Sequence, residues 1–216
     1  MPRVILIAAI SYLLGSIPFG YLLVRIFHGE DVRQSGSGNI GATNVSRKSP
    51  ALGVLTLVLD ALKGSAAVAL ATFLSVHPGA DGHYRTMAMA ALLAVVGHMF
   101  PVWLKFRGGK GVATSLGSFV LIAPKAVVVA LCIFVVVWVV FRYVSLGSIV
   151  SVLAFPLVAW FLHERGDSWL VLGSMSLTSL LIVAKHHQNI RRLLAGTENR
   201  FGSRRGARPE SGSQSR

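Results

Sequence analysis

Long apolar runs alternate with short polar segments along this chain. The runs cover residues 4–24, 51–76, 86–104, 112–141, 144–163 and 168–185. A helix that crosses the bilayer core needs about 20 largely apolar residues, and five of the runs have that length. The run 112–141 is too long for one untilted crossing and short for two. Pro124 and Lys125 interrupt it, and proline both removes a backbone hydrogen bond and clashes with the turn before it. The pattern predicts an all-α, polytopic membrane helix bundle of about seven transmembrane helices, some short or broken. Backbone opened at a break must be shielded by neighbouring helices, because lipid cannot hydrogen-bond to it.

The charges between the runs set the sidedness. Segment 25–50 carries Arg25, Arg33, Arg47 and Lys48, and segment 105–111 carries Lys105, Arg107 and Lys110. The region after 185 adds Lys185, Arg191, Arg192, Arg200, Arg204, Arg205, Arg208 and Arg216. Lys and Arg concentrate in cytoplasmic loops, so all three segments are expected inside. An odd number of crossings then separates an external N-terminus from a cytoplasmic C-terminus. Seven satisfies this if 112–141 turns back at Pro124. The connections near 77–85 and 163–168 are then external.

Composition agrees with lipid as the main solvent. Hydrophobic residues make up 53% of the 216 and charged ones 13%, against about 25% charged in soluble domains. The net charge of +13 would suggest nucleic acid in a soluble protein. Here it falls in loops and tail, and no aromatic-plus-basic module accompanies it. Such charge suits cytoplasmic loops, anionic substrates and lipid headgroups. The single cysteine, Cys132, excludes an intrachain disulfide. The run from Val4 follows a weak basic region and precedes no small-residue cleavage site, so it reads as a retained span. Residues 1–201 form one membrane-embedded domain, and the Gly/Ser/Arg-rich tail 202–216 is expected to be disordered.

Four polar segments stand out against this apolar background. The first, SGSGNIGATNVSR at 35–47, brings Ser37, Asn44 and Arg47 together with three glycines. Exposed amides and short polar groups suit an oxyanion or phosphate, though the same composition also makes an ordinary capped loop. The second holds Gly108, Gly109, Lys110 and Gly111 before an apolar helix. Amides at a helix N-terminus beside a lysine form an anion site. The plain alternative is a basic cytoplasmic turn. It is not a Walker A loop, because neither Ser nor Thr follows Lys110 and Leu104 stands where that pattern has glycine. His98, just upstream, reads as a packing residue.

The third segment, HHQNIRRLLAGTENRF at 186–201, sets His186 and Asn189 three apart, on one face of a helix. A surface-lying amphipathic helix explains its arginines and leucines but not that His/Asn stripe. Glu198 is one of eight acidic residues, which suggests a pairing role. The fourth is Asp60 with Lys63, three apart inside an apolar run. Charged groups there are paired or functional, so this is either a structural ion pair or part of the site. Ser145 and Ser148 are weaker candidates, since hydroxyl residues also mediate helix packing.

Several chemistries are excluded. No His-x4-Asp spacing and no Gly-x-Ser-x-Gly elbow occurs. No His/Cys/carboxylate spacing suits zinc, and no cofactor motif is present. A transporter of anionic solutes would fit broken helices and a basic mouth, but no inverted repeat is visible and the polar motifs gather on one side.

Taken in order, the motifs resemble the bacterial acyl-phosphate:glycerol-3-phosphate acyltransferase family. The likeness covers residues 11–201 and rests on GSIPFGYLL at 15–23, SGNIGATNV at 37–45, DALKG at 60–64, GHMFPVWLKFRGGKGVAT at 97–114, YVSLGSI at 143–149 and HHQNIRRLLAGTENR at 186–200. It implies transfer of a fatty acyl group from acyl phosphate to the sn-1 hydroxyl of glycerol 3-phosphate, the first acylation of bacterial phospholipid synthesis. The products are 1-acyl-glycerol 3-phosphate and inorganic phosphate. It also implies Ser37 and Arg47 as an essential pair, a phosphate-binding loop at 108–111 with Lys110, His186 and Asn189 as an active-site pair, and Glu198 as a structural residue. Lys63 and Asn44 are expected to assist at the phosphate, and Ser145 and Ser148 to face the site. His186 either orients the acceptor or removes its proton, or a substrate phosphate takes that proton. The expected setting is the inner membrane, with the site facing the cytoplasm, membrane lipid around it, and functional coupling to an enzyme that makes acyl phosphate.

Overall fold

The computed structural model describes residues 2–75, 81–164 and 168–200. The tail 202–216, expected to be disordered, lies outside the described residues, as do parts of both connections expected to be external. The elements are α1 (Pro2–Ser16), α2 (Phe19–His28), α3 (Ala42–Val45), α4 (Pro50–Leu74), α5 (Asp81–Met99), α6 (Val112–Phe119), α7 (Pro124–Phe141), α8 (Val144–Phe161), α9 (Trp169–Lys185) and α10 (His187–Leu194). Short 3-10 turns at Val32–Gln34 and Val102–Leu104 complete the order. Among the described residues there is no strand.

Among the described residues, five segments are long and apolar enough to cross a membrane: Pro2–His28, Pro50–Leu74, Gly82–Leu104, Pro124–Phe141 and Val144–Phe161. Helices α9 and α10 meet at a 57° bend and make a sixth if the pair is counted as one span. The run 112–141 divides at Pro124, as its proline predicts. Its first part, α6, has 8 residues, about 12 Å of helix at 1.5 Å per residue, well under the hydrocarbon thickness of about 30 Å. The freed amides at the start of α7 are satisfied from another element. Glu164, just past α8, accepts from the Lys125 and Ala126 amides at 3.0 and 2.6 Å. A carboxylate there also meets the positive end of the helix dipole.

The first run differs from its expected single span over 4–24. It is two helices, broken at Ile17 and Pro18, for the same reason that 112–141 breaks at Pro124. The Ile17 carbonyl at this break accepts a hydrogen bond from Lys63 Nζ at 2.7 Å.

Helix α5 runs through the interior. Its small side chains Ala88, Ala90, Ala91 and Ala94 are fully buried and let neighbouring backbones come close. The main apolar cluster joins Val68, Met87, Ala91, Phe119, Phe155 and Met175. By contrast α7 turns Val128, Val136, Val139 and Val140 outward, the pattern of a helix solvated by lipid. Short α6 is pinned to α4. Ser65 Oγ donates to the Gly117 carbonyl at 2.7 Å, and Gly64 and Gly117 lie against the backbones of Thr114 and Ala61.

Candidate active site

Three loops and the start of α8 meet at one end of the bundle. The first loop is organised by Asn44, which is buried. Its Nδ2 donates to the carbonyls of Val32, Ser35 and Asn39 at 3.1, 3.1 and 2.8 Å. Its Oδ1 accepts the Ser37 amide at 2.9 Å. One asparagine thus replaces the regular ladder that this loop lacks. The fold leaves the Ser37 and Arg47 side chains exposed. The Arg47 guanidinium lies beside Gly36 and has no ion-pair partner among the described residues.

The second loop folds back on α5. The amides of Gly108 and Gly109 donate to the carbonyls of Met99 and His98 at 3.2 and 3.0 Å, which caps that helix. Gly111 then takes φ +89° as the N-cap of α6, a conformation that a side chain disfavours. The unpaired amides of the first turn of α6 form a positive helix end. Lys110 lies beside it, half-buried. Burial pushes the Lys110 ammonium down to about 8, while Glu198 opposes the fall and Arg192 and Arg47 add to it. Arg47, Arg192 and Glu198 are therefore within electrostatic reach of Lys110.

The third loop begins at the bend between α9 and α10. His186 is almost fully buried there, also within electrostatic reach of Lys110. Its Nδ1 lies 2.8 Å from the Ile182 carbonyl. A carbonyl only accepts, so Nδ1 carries the hydrogen and, in the neutral ring, Nε2 carries the lone pair. Beyond α10 the chain reverses and returns Glu198 to the helix. Glu198 Oε1 accepts from Asn189 at 2.6 Å and from Ser145 at 2.7 Å, and Oε2 accepts from Arg192 Nε at 2.6 Å. Burial works against the charged carboxylate, but these donors hold Glu198 below its ordinary range. This one side chain ties the third loop to α8.

Arg47 and Arg192 thus lie within electrostatic reach of Lys110, with the Glu198 carboxylate and a helix N-terminus beside it. That excess of positive charge and amide hydrogens suits anionic, phosphorylated ligands. Among the described residues no three His, Cys, Asp or Glu side chains converge on a metal position. The sequence profile of the glycerol-3-phosphate acyltransferases matches residues 5–196, which includes every one of these loops up to Gly196.

The chain belongs to the glycerol-3-phosphate acyltransferase family.

Curated glycerol-3-phosphate acyltransferases are similar along almost their whole length. That of Syntrophotalea carbinolica is 47% identical over 192 residues, covering 88% of this chain and 94% of its own. That of Ehrlichia canis is 46% identical over 195 residues, covering 90% and 97%. The crystal structure of PlsY, an integral membrane glycerol 3-phosphate acyltransferase, is similar in its glycerol 3-phosphate form. The TM-score is 0.84 at 35% identity, covering 92% of this chain and 96% of that one. Its lysophosphatidic acid form has a TM-score of 0.81 at 34% identity, with 92% and 95% covered.

In this acyltransferase fold the expected site residues fall into two groups. Ser37, Arg47, Lys110, Gly111, His186, Asn189, Ser145 and Glu198 lie in the loops and helix end that meet. Ser148 is buried on the same face of α8, and its hydroxyl donates to the Val144 carbonyl at 2.9 Å. Three of the expected phosphate contacts involve groups that already have partners within the protein. Asn44 spends its amide on its own loop. Gly108 and Gly109 spend theirs on α5, which moves the available amides to the first turn of α6. Lys63 is buried against Asp60 Oδ1 at 2.8 Å, besides its bond to Ile17, so its ammonium is already neutralised. Asp60 and Lys63 form an ion pair inside the bundle. Arg192 and His98, given little weight in the sequence, prove to be paired with Glu198 and Asp60 respectively. The third segment is not one continuous surface helix, because its second half turns back to Asn189.

Proposed function

We propose that the chain transfers a fatty acyl group from acyl phosphate to the sn-1 hydroxyl of glycerol 3-phosphate, releasing 1-acyl-glycerol 3-phosphate and inorganic phosphate. The observation that carries this reading is the meeting of Arg47, Lys110 and the amino end of α6 around the His186–Asn189 bend. Two anionic substrates must sit side by side, and their repulsion is costly unless cations oppose it. Arg47 and Lys110 have no carboxylate of their own among the described residues to satisfy them. PlsY crystallised in glycerol 3-phosphate and lysophosphatidic acid forms, ligands that match the proposed acceptor and product.

Lys110 and the first turn of α6 hold the acceptor phosphate. Arg47 forks onto the donor phosphate, with Ser37 beside it. The acceptor hydroxyl oxygen attacks the acyl carbon, a bond forms there, and the bond from acyl carbon to phosphate oxygen breaks. An acyl phosphate is a mixed anhydride, so the step needs no ATP and no cofactor. The hydroxyl proton goes to His186 Nε2 or to a substrate phosphate oxygen. In either case the Ile182 carbonyl fixes the ring so that Nε2 is the free nitrogen. Alignment of two bound substrates accounts for several kcal/mol of rate enhancement. Asn189, held by Glu198, orients the bend that carries His186.

The site faces the cytoplasm of a bacterial inner membrane, where glycerol 3-phosphate is available. Counting α6 as a short, protein-shielded crossing gives seven crossings with an external N-terminus. Acyl phosphates hydrolyse readily, so supply by an adjacent acyl-phosphate-producing enzyme suits this chemistry. The donor class is tested with purified protein and glycerol 3-phosphate, offering palmitoyl phosphate or palmitoyl-CoA. Product from the phosphate alone supports the reading. Product from the thioester alone replaces it.

A further inference from the structure

Inside the bundle, behind the glycine-rich loop, lies a cluster of ionisable groups that touches no solvent. Asp60 and Lys63 of α4 and His98 of α5 have side chains only 3, 2 and 4% exposed. Lys63 Nζ and His98 Nδ1 lie 2.8 and 3.5 Å from the same carboxylate oxygen, Asp60 Oδ1. Such groups are expensive to bury in a membrane protein, and an apolar set of equal volume would pack as well or better. None of them reaches the open site.

His98 is where this cluster meets the loop. Its carbonyl accepts the Gly109 amide at 3.0 Å. Its imidazole lies close against the same residue, so that a Cβ on Gly109 would overlap Nε2. Gly109 is therefore held twice, by the backbone and by the ring of one histidine, and Lys110 and Gly111 follow directly. One turn beyond Asp60, the same helix grips α6 through Gly64 and the Ser65–Gly117 hydrogen bond. Helix α4 thus supports the loop from both sides, at Gly109 through His98 and at α6 by direct packing. Through Lys63 it is also tied to the Ile17 carbonyl, at the break from which α2 leads into the loop of Ser37 and Arg47.

We infer that Asp60 and His98 are positioning residues for the acceptor phosphate: Asp60 fixes the His98 ring, and the ring sets the height of Gly109 and hence of Lys110 and the α6 amides. Asp60 Oδ1 and His98 Nδ1 stand 3.5 Å apart with no hydrogen bond between them, so the carboxylate acts on the ring through its charge, which favours a hydrogen on the facing Nδ1. The glycine at 109 follows from the ring rather than from the ligand. The inference rests on the loop being the acceptor phosphate site.

The test is steady-state kinetics of purified His98→Ala, Asp60→Asn, Gly109→Ala and their pairs, each substrate varied in turn. His98→Ala raises KM for glycerol 3-phosphate about tenfold, while kcat and KM for acyl phosphate stay within roughly threefold. Asp60→Asn shifts the same KM, and adding it to His98→Ala changes nothing more, because one acts through the other. Gly109→Ala raises that KM further, and His98→Ala in the same chain relieves it, since removal of the ring makes room for the methyl. Asp60→Asn leaves the Lys63 charge buried alone; where this protein does not accumulate, Asp60→Asn with Lys63→Met replaces it and gives the same shift. An unchanged KM in His98→Ala with merely less folded protein makes the cluster a packing element and overturns the inference. Additive effects of Asp60 and His98 also overturn it, as does a fall in kcat common to both substrates. A wild-type protein that does not acylate glycerol 3-phosphate refutes the underlying reading instead, and is seen before any variant is made.

Discussion

Glu198 accepts a hydrogen bond from the Asn189 side-chain amide, 2.6 Å from Nδ2 to Oε1. The same carboxylate takes Ser145 and Arg192, so it fixes the bend carrying His186 against α8. Glu198→Gln keeps the shape but loses the charge that strengthens all three bonds. Hydrogen bonds to a charged group contribute about 1.5–3 kcal/mol each, so the loss is expected to lower kcat roughly tenfold to a hundredfold and to lower the melting temperature in detergent. Kinetics and a thermal melt of the same sample check it. Wild-type turnover with a lowered melting temperature would leave Glu198 a purely structural clamp.

Arg47 is exposed and lacks an ion-pair partner among the described residues, so its replacement need not disturb folding. Arg47→Lys keeps the charge and loses the planar fork that meets two phosphate oxygens at once. The variant is expected to accumulate and insert normally and to lose at least about tenfold in activity, roughly one charge-assisted hydrogen bond. Near-normal activity would show that a point charge suffices there.

Gly111 stands at φ +89° at the entry to α6. Alanine there costs about 1–2 kcal/mol in this backbone region and displaces the first-turn amides of α6, which the proposed function assigns to the acceptor phosphate. Gly111→Ala is expected to raise KM for glycerol 3-phosphate about tenfold while turnover changes little, as for an interaction lost equally from ground and transition states. A rise confined to KM for acyl phosphate would assign the loop to the donor.

Lys110 is pushed down to about 8 by burial. It is cationic below that pH and neutral above it. The value for kcat/KM of glycerol 3-phosphate is therefore expected to fall as pH rises through about 8. The substrate phosphate, with its second pKa near about 6, is already a dianion in that range and contributes no inflection. The fall belongs to the free enzyme, so kcat/KM shows it more than kcat. Lys110→Arg removes it from this range, because guanidinium stays charged. A profile for wild type that is flat from pH 7 to about 9.5 would contradict a catalytic need for the Lys110 charge.

Much of this architecture was legible in the sequence because lipid punishes polar groups. Apolar runs mark the spanning helices, and polar segments such as 35–47 and 108–111 stand out where they occur. Pro124 marked its break for a reason local to proline. Pro18 carried the same signal, but it sat inside a run short enough to pass as one span. Individual roles were not legible where the partner is remote in sequence. Lys63 gave no sign in the sequence that its ammonium meets the Ile17 carbonyl, 46 residues away. Asn44 shared a motif with Ser37 and Arg47, yet what decides its role is three carbonyls gathered by the loop itself. Gly108 and Gly109 had the right composition for an anion cradle, but the end of α5 needed their amides first. His186, Asn189 and Glu198 were legible as a group, since a helical spacing and a short return bring them together.

The central claim is direct acyl transfer between two phosphorylated substrates at one site. Purified protein in detergent, given palmitoyl phosphate and glycerol 3-phosphate without ATP, coenzyme A or a carrier protein, tests it most directly. Inorganic phosphate and 1-palmitoyl-glycerol 3-phosphate are measured together. Equal amounts of both, formed only when both substrates are present, are predicted. Phosphate released without the acylated product would make the chain an acyl phosphate hydrolase. No reaction in detergent, with uptake of glycerol 3-phosphate by proteoliposomes, would make it a transporter and contradict the account.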